Sequence, residues 1–313
     1  MKIAHISDLH LNTLFNDANL ARIKKLIKYI SEKSVDHLIV SGDLTDNAEE
    51  SDLIILKRML TKSGFSSHTD LTVIPGNHDI FGGPQKPADI FSFPERCKEI
   101  DYQAKLKFFK TIFKDTFHNN TNITEDEDFP FLKDLGSVKI IGINSVAEYS
   151  KYKNPFASNG EVKLDQFNKL SELLQKYSDT DAIKIVVIHH HFNKIKNTKR
   201  SIAGIWQNIE KQTMKLKKKK RLLSLFRKYN IDLVLHGHIH YSEYYERKGI
   251  SFLNAGASAF GYSGKSIRVN MINISNGIIE CELHKITENG EVKIEELFRS
   301  ETKVGLKFSP IYN

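Results

Sequence analysis

Strand-like and helix-like segments alternate strictly through the first 80 residues, and that order restricts the fold sharply. Ile3 to Ser7 is an apolar strand, and Leu20, Ile23, Leu26, Ile27 and Ile30 then recur at helical spacing. His37 to Val40 is a second strand. Leu53, Leu56 and Leu60 repeat the helical spacing, and Leu71 to Ile74 is a third strand. Strands joined through helices in this way are expected to be parallel, with right-handed crossovers. Their carboxyl ends then share one edge, where open α/β sheets hold ligands. Asp8, Asp43 and Asn77 stand just past those ends, 35 and 34 residues apart.

The later chain continues differently. Residues 81–131 hold Pro84, Pro87 and Pro94, then a helical stretch from Tyr102 to Phe113 and a polar run from His118 to Asp128. This segment is expected to be a cap-like insertion over the site rather than a second domain, within one domain spanning 1–313. Val138 to Ile143 and Ile183 to Ile188 read as strands, with an amphipathic helix from Leu164 to Tyr177 between them. A basic connection, Lys194 to Lys220, leads to a helix carrying Leu222, Leu225, Phe226 and Tyr229. Ile231 to Leu235 is a further strand. The tail is strand-rich, with hairpin signals at Asn276-Gly277 and Asn289-Gly290.

Bulk properties exclude several classes. Of the 313 residues, 40% are hydrophobic and 27% charged, a globular balance with enough apolar material to enclose a polar site. No stretch approaches the roughly 20 apolar residues that span a bilayer. Lys2 to Ile6 is already strand, so no leader is expected. Cys97 and Cys281 are too few and too distant for a disulfide framework, and Cys281, alternating with Ile279 and Leu283, reads as buried. A cytoplasmic location is expected. The net charge of +8 suits either a lysine-rich solvated surface or attraction to anions.

Five short motifs carry the chemistry: Asp8-Leu9-His10, Gly42-Asp43, Gly76-Asn77-His78-Asp79, His189, and Gly237-His238-Ile239-His240. Each follows an expected strand. Two divalent cations about 3.5–4 Å apart need a charged bridging ligand, and Asp43 is the candidate. Gly42 lets the backbone turn tightly beside it. Asp8 and His10, like His238 and His240, are two residues apart and are expected to leave a strand on one face. Mixed nitrogen and oxygen donors suit manganese, iron or zinc. Two dications less the charges of Asp8, Asp43 and a hydroxide leave a net positive site. A phosphate ester could settle there and be attacked in line. His78 lies one residue past Asn77 and is expected to protonate the leaving oxygen, with Asp79 placed to orient it.

These motifs resemble the signature of the calcineurin-like metallophosphoesterase superfamily, from Lys2 to His240. The resemblance implies an α/β fold: a four-layer α/β/β/α sandwich of two mixed β-sheets flanked by helices. It implies that Asp8, His10, Asp43 and His240 hold one metal and that Asp43, Asn77, His189 and His238 hold the other. A hydroxide bridging the two metals would attack, with His78 as the acid. His189 is chosen from three consecutive histidines because it directly follows the strand. His190 would sit behind it or touch substrate, and His191 would be solvated. Within the superfamily, Ile6 to Leu11, the Asn77-His78-Asp79 turn and Ile141 to Ser145 are similar to bacterial class III cyclic nucleotide phosphodiesterases. Lipid A pathway pyrophosphatases often carry arginine where His78 stands.

The expected activity is therefore hydrolysis of a small phosphodiester, of cyclic nucleotide or glycerophosphodiester type. A nuclease is the alternative, supported by the basic run Lys215 to Arg221, whose phosphate contacts would be salt-sensitive. A non-catalytic scaffold is the third reading, weakened because no ligand is missing.

Overall fold

The computed structural model describes residues 1–14, 16–84, 87–117, 129–193, 214–259 and 266–301. The polar run at 118–128 and most of the basic connection, 194–213, lie outside these residues.

The first sheet begins with three parallel strands, β1 (Lys2–Ile6), β2 (His37–Val40) and β3 (Leu71–Val73). Helices α1 (Asp17–Ser31) and α2 (Glu50–Lys62) join them. Asn16 starts α1 by accepting the Asn19 N–H at 3.0 Å, a side-chain cap for an otherwise orphaned donor. The short α3 (Asn77–Ile80) follows β3. Three strands from the chain's end complete this sheet antiparallel: β10 (Ser266–Ser275), β11 (Ile278–Thr287) and β12 (Val292–Glu301). The order is β12-β11-β10-β1-β2-β3.

The second sheet also has six strands. Its strands are β4 (Phe131–Asp134), β5 (Val138–Ile143), β6 (Ile183–Ile188), β7 (Leu233–His236), β8 (Glu243–Arg247) and β9 (Ile250–Asn254). β5, β6, β7 and β9 are parallel, and β4 and β8 close the two edges antiparallel. Helix α7 (Leu164–Lys176) connects β5 to β6, and α8 (Lys219–Lys228) precedes β7.

Pleat parity separates the layers. Ile183, Ile185 and Val187 of β6, with Leu233 and Leu235 of β7, join the central core that Ile3 and Ile39 of the first sheet also enter. The alternate residues Val186, Ile188 and Val234 face outward, against Leu170, Leu173 and Leu174 of α7 and Leu222 and Phe226 of α8. Both faces of the strands are buried, which is why they read as unbroken apolar runs. The expected sandwich of two mixed sheets with flanking helices is the observed fold.

Residues 87–117 are largely helical. A 3-10 turn (Pro87–Ile90) leads to α4 (Phe93–Glu99), α5 (Tyr102–Ile112) and α6 (Lys114–Phe117). Asn276-Gly277 makes the two-residue hairpin expected of it, both residues at positive φ. The second hairpin differs. Thr287 N–H donates to Glu291 O at 2.9 Å, so three residues form the loop and Gly290 takes its left-handed position at φ +90°. Cys281 is buried in β11.

Candidate metal centre

The five motifs converge at the carboxyl ends of β1, β2, β3, β6 and β7. Asp8, His10 and His240 bring ligand atoms within 4.8 Å of one another, and Asp43, His189 and His238 do the same. Asp43 Oδ2 stands between the groups, 3.2 Å from His189 Nε2 and 3.9 Å from His10 Nε2. Asn77 is buried, and its Oδ1 accepts no hydrogen bond.

The route by which these side chains meet differs from the strand-pleat expectation. β1 ends at Ile6, and Asp8 and His10 lie beyond it at φ 50° and 45°. Asp43 and His238 are also left-handed, at φ 50° and 73°. Left-handed backbone is costly for residues with a Cβ and persists where the surroundings over-determine it, often at functional sites. Here neighbouring turns hold one another: Asp8 N–H donates to Gly42 O at 3.0 Å and His10 N–H to Asp43 O at 3.1 Å. His238 N–H is held by both Asp8 carboxylate oxygens, at 2.9 and 3.0 Å. Gly237 is required by that approach, because a Cβ there would strike Ser7 Oγ and Asp8 Oδ2.

The tautomers follow from the partners. His189 Nδ1 lies 2.8 Å from Ser41 O, which can only accept, so Nδ1 carries the proton. Its Nε2 lone pair then faces Asp43 Oδ2 and, at 3.1 Å, His238 Nδ1. His10 is similar: Nδ1 donates to Asp46 Oδ1 at 3.1 Å, leaving Nε2 against His240 Nε2 at 3.1 Å. Lone pairs converging on a carboxylate repel unless a cation or a proton sits among them. In the metal-free protein protons do this work. Burial opposes charge on His189, but the Asp43 carboxylate outweighs it and holds the group up at about 9. Asp43 is held well below the usual range: burial opposes its charge, and His189 and His78 overcome it. The donor set, the bare imidazole nitrogens and the orphaned Asn77 oxygen all fit divalent cations in place of those protons.

His78 stands at the open side, its side chain 22% exposed, as does His240 at 25%. His78 N–H donates to Asp43 Oδ1 at 2.8 Å, and Nδ1 donates to Asp46 O at 2.9 Å. Nε2 is thereby left as the ring's other proton site. Burial alone would lower His78, but Asp43 and Asp46 raise it to about 10. Bound dications would push it back down.

Asp79 was expected to orient His78, but its oxygens are engaged elsewhere. Oδ2 accepts Gly76 N–H and Oδ1 accepts Thr45 N–H, both at 2.8 Å, so Asp79 ties the two ligand-bearing turns together. Burial, then the neighbouring Asp43 charge, raises it to about 6. The sequence reading missed Asp46, which supports both His78 and His10 and accepts from Asn12 Nδ2 at 3.1 Å. The available signal was a second carboxylate three residues after Asp43. His190 sits behind the site with Nδ1 2.8 Å from Ser145 Oγ, and His191 is buried rather than solvated, its ring stacked on His238.

A family model described as calcineurin-like phosphoesterase matches residues 1–242, which include all five motifs. The chain belongs to the calcineurin-like phosphoesterase family. Two curated relatives carry the name "Probable cyclic nucleotide phosphodiesterase". The one from Ruthia magnifica subsp. Calyptogena magnifica is 25% identical over 265 residues, covering 83% of this chain and 87% of its own. The one from Vesicomyosocius okutanii subsp. Calyptogena okutanii (strain HA) is 23% identical, covering 84% and 89%. Among solved structures, a dimetal phosphatase from Danio rerio superposes with a TM-score of 0.59 at 11% identity, covering 96% of this chain and 99% of its own. That likeness is one of fold.

In this member of the calcineurin-like family the described part of the basic run is largely tied to its own surface. Lys217 Nζ donates to Lys153 O at 2.9 Å, and Lys218 Nζ pairs with Glu161 at 2.7 Å. These are solvated surface contacts. Among the described residues no helix is long and apolar enough to cross a membrane.

Proposed function

We propose that this protein is a binuclear metal-dependent phosphodiesterase acting on a small molecule, of cyclic nucleotide or glycerophosphodiester type. The observation that carries the reading is the pair of carboxylate–histidine groups meeting at Asp43, with His78 beside them at an open cavity. The names of the two curated relatives support the cyclic nucleotide class. A cytoplasmic setting accords with two free, buried cysteines.

Asp8, His10, Asp43 and His240 would hold one cation, and Asp43, Asn77, His189 and His238 the other. Manganese, iron and zinc all suit these donors. When bound, the cations supply positive charge for the ester's phosphate and lower the pKa of adjacent water. The chain's own residues do the rest. Ser41 O and Asp46 fix the two imidazole tautomers that face the cations. His78, locked through Nδ1, presents Nε2 as the proton donor for the leaving oxygen. Such a positioned acid contributes about 10²–10⁴-fold.

Purified protein loaded with manganese is expected to hydrolyse bis(4-nitrophenyl) phosphate. His78→Ala is expected to lower kcat by about 10²–10⁴-fold for an alkyl diester that needs protonation, and by less for bis(4-nitrophenyl) phosphate, whose leaving group departs as the anion. No turnover with manganese, iron, zinc or cobalt would contradict the reading.

A further inference from the structure

The cavity in front of the centre, about 730 Å3 including the part open to solvent, has two unlike walls. One is polar and contains Asp43, Asn77, His78, His238 and His240. The other is formed by Pro84, Ile90, Phe93, Phe156 and Met214. Among the described lining residues there is no lysine or arginine, and Asp43 is the one carboxylate. Apolar walls with a few convergent polar groups are usual for small-molecule sites. The sign of this wall is informative. A second negative charge on the ester meets no described lining cation; the nearest is Arg96, whose guanidinium stacks on the Phe93 ring at 4.9 Å and donates to Gly83 O at 2.7 Å. A flat uncharged ring would cover side chains that are still partly exposed: Pro84 is exposed, and Ile90, Phe156 and Met214 are half-buried.

The wall is built into the machinery rather than laid over it. Helix α3 carries Asn77 and His78 at its start, and its next residues, Ile80 and Phe81, enter a small separate core with Phe93, Cys97, Val146 and Ala157. Phe156 packs against the same core. Tyr102 packs against the same core and its hydroxyl donates to Val146 O at 3.0 Å. Gly83 lets the backbone lie flat on the His78 ring, where a Cβ would come within 2.8 Å of Nδ1. The apolar wall is therefore held in fixed register with His78.

We propose that this wall selects phosphodiesters in which one ester group carries a planar, uncharged ring, and that Phe93 and Phe156 are its specificity-determining residues. The inference rests on the phosphodiesterase reading above and divides its two substrate types, favouring ring-bearing diesters over glycerophosphodiesters.

The test uses two substrates with one charge and one leaving group, phenyl 4-nitrophenyl phosphate and methyl 4-nitrophenyl phosphate, on the manganese-loaded full chain. The phenyl ester is expected to have kcat/KM about tenfold or more above the methyl ester, from differential pocket contact. In Phe156→Ala that ratio collapses toward one, chiefly through KM. Phe156→Leu keeps the packing and gives an intermediate ratio. Calorimetric binding of phenylphosphonate and methylphosphonate to the same protein reads the wall without turnover, and wild type is expected to prefer the phenyl compound by a similar factor. Equal kcat/KM for the two esters in wild type, or a ratio unchanged in Phe156→Ala, overturns the wall while leaving the hydrolase reading intact. Absent turnover with a phenylphosphonate preference that Phe156→Ala abolishes upholds the wall and removes the hydrolase reading.

Discussion

Gly42→Ala probes how tightly the centre is packed from behind. Gly42 has φ +101°, and an added Cβ would lie 2.8 Å from His189 Cγ and 2.9 Å from the Gly76 backbone nitrogen. Two costs follow. The backbone conformation alone strains alanine by about 1–3 kcal/mol. The steric cost is separate: ordinary contact is about 3.5–4.0 Å between carbons, so the imidazole must retreat by about 1 Å. Gly76 cannot yield easily, because its N–H is held by Asp79. A displacement of about 1 Å in a reacting group can cost 10²-fold in rate. Gly249→Ala supplies the control, since Gly249 has φ +73° with nothing near its would-be Cβ. Thermal melts and bis(4-nitrophenyl) phosphate turnover at saturating manganese separate the terms. Both variants should lose stability, but only Gly42→Ala should lose about 10²-fold in kcat. Activity within twofold of wild type in Gly42→Ala would refute the close placement of His189 on that glycine.

Asp46→Ala should weaken manganese binding or kcat by about 10–100-fold, the usual cost of losing a carboxylate that orients a ligand histidine. Asp46→Asn keeps an acceptor for His10 and should lose less; equal losses would contradict the hydrogen-bond account. His37, far from the centre, is lowered to about 3 by burial and then by the Lys133 charge. Its folded pKa lies below the unfolded value of about 6.5, so stability is intact above pH 6.5 and falls as pH drops toward 3. Within that window His37→Asn should reduce the slope of unfolding free energy against pH by about 1.4 kcal/mol per unit. An unchanged slope in urea titrations of metal-free protein would refute the assignment. Manganese at 100 times its Kd should stabilise the fold by about 2.7 kcal/mol, and a melting temperature indifferent to manganese and to chelator would count against a metal centre.

Much of the fold was legible because its strands are buried on both faces. The runs His37–Val40, Val138–Ile143 and Ile183–Ile188 match the observed strands end to end. The positions of the candidate ligands were legible for a related reason: polar residues stand abruptly where those apolar runs stop. What joins them was not legible. Asp8, His10, Asp43 and His238 turn inward through left-handed backbone, which no local pattern announces. The tautomer of His189 depends on a backbone carbonyl 148 residues away in sequence. Asp79 looked like a partner for its neighbour His78, yet the turn geometry directs it to Gly76 and Thr45. His191 read as solvated, but it is buried with its ring stacked on His238. The apolar cavity wall draws on three distant segments, and side-chain spacing within any one says nothing of the others.

The ligand set proposed above puts Asp43 between two cations. Anomalous diffraction from manganese-loaded crystals tests it most directly. Two peaks about 3.5–4 Å apart are expected, one beside Asp8, His10 and His240, the other beside Asn77, His189 and His238, with Asp43 touching both. A single peak, or a pair remote from Asp43, would contradict the account.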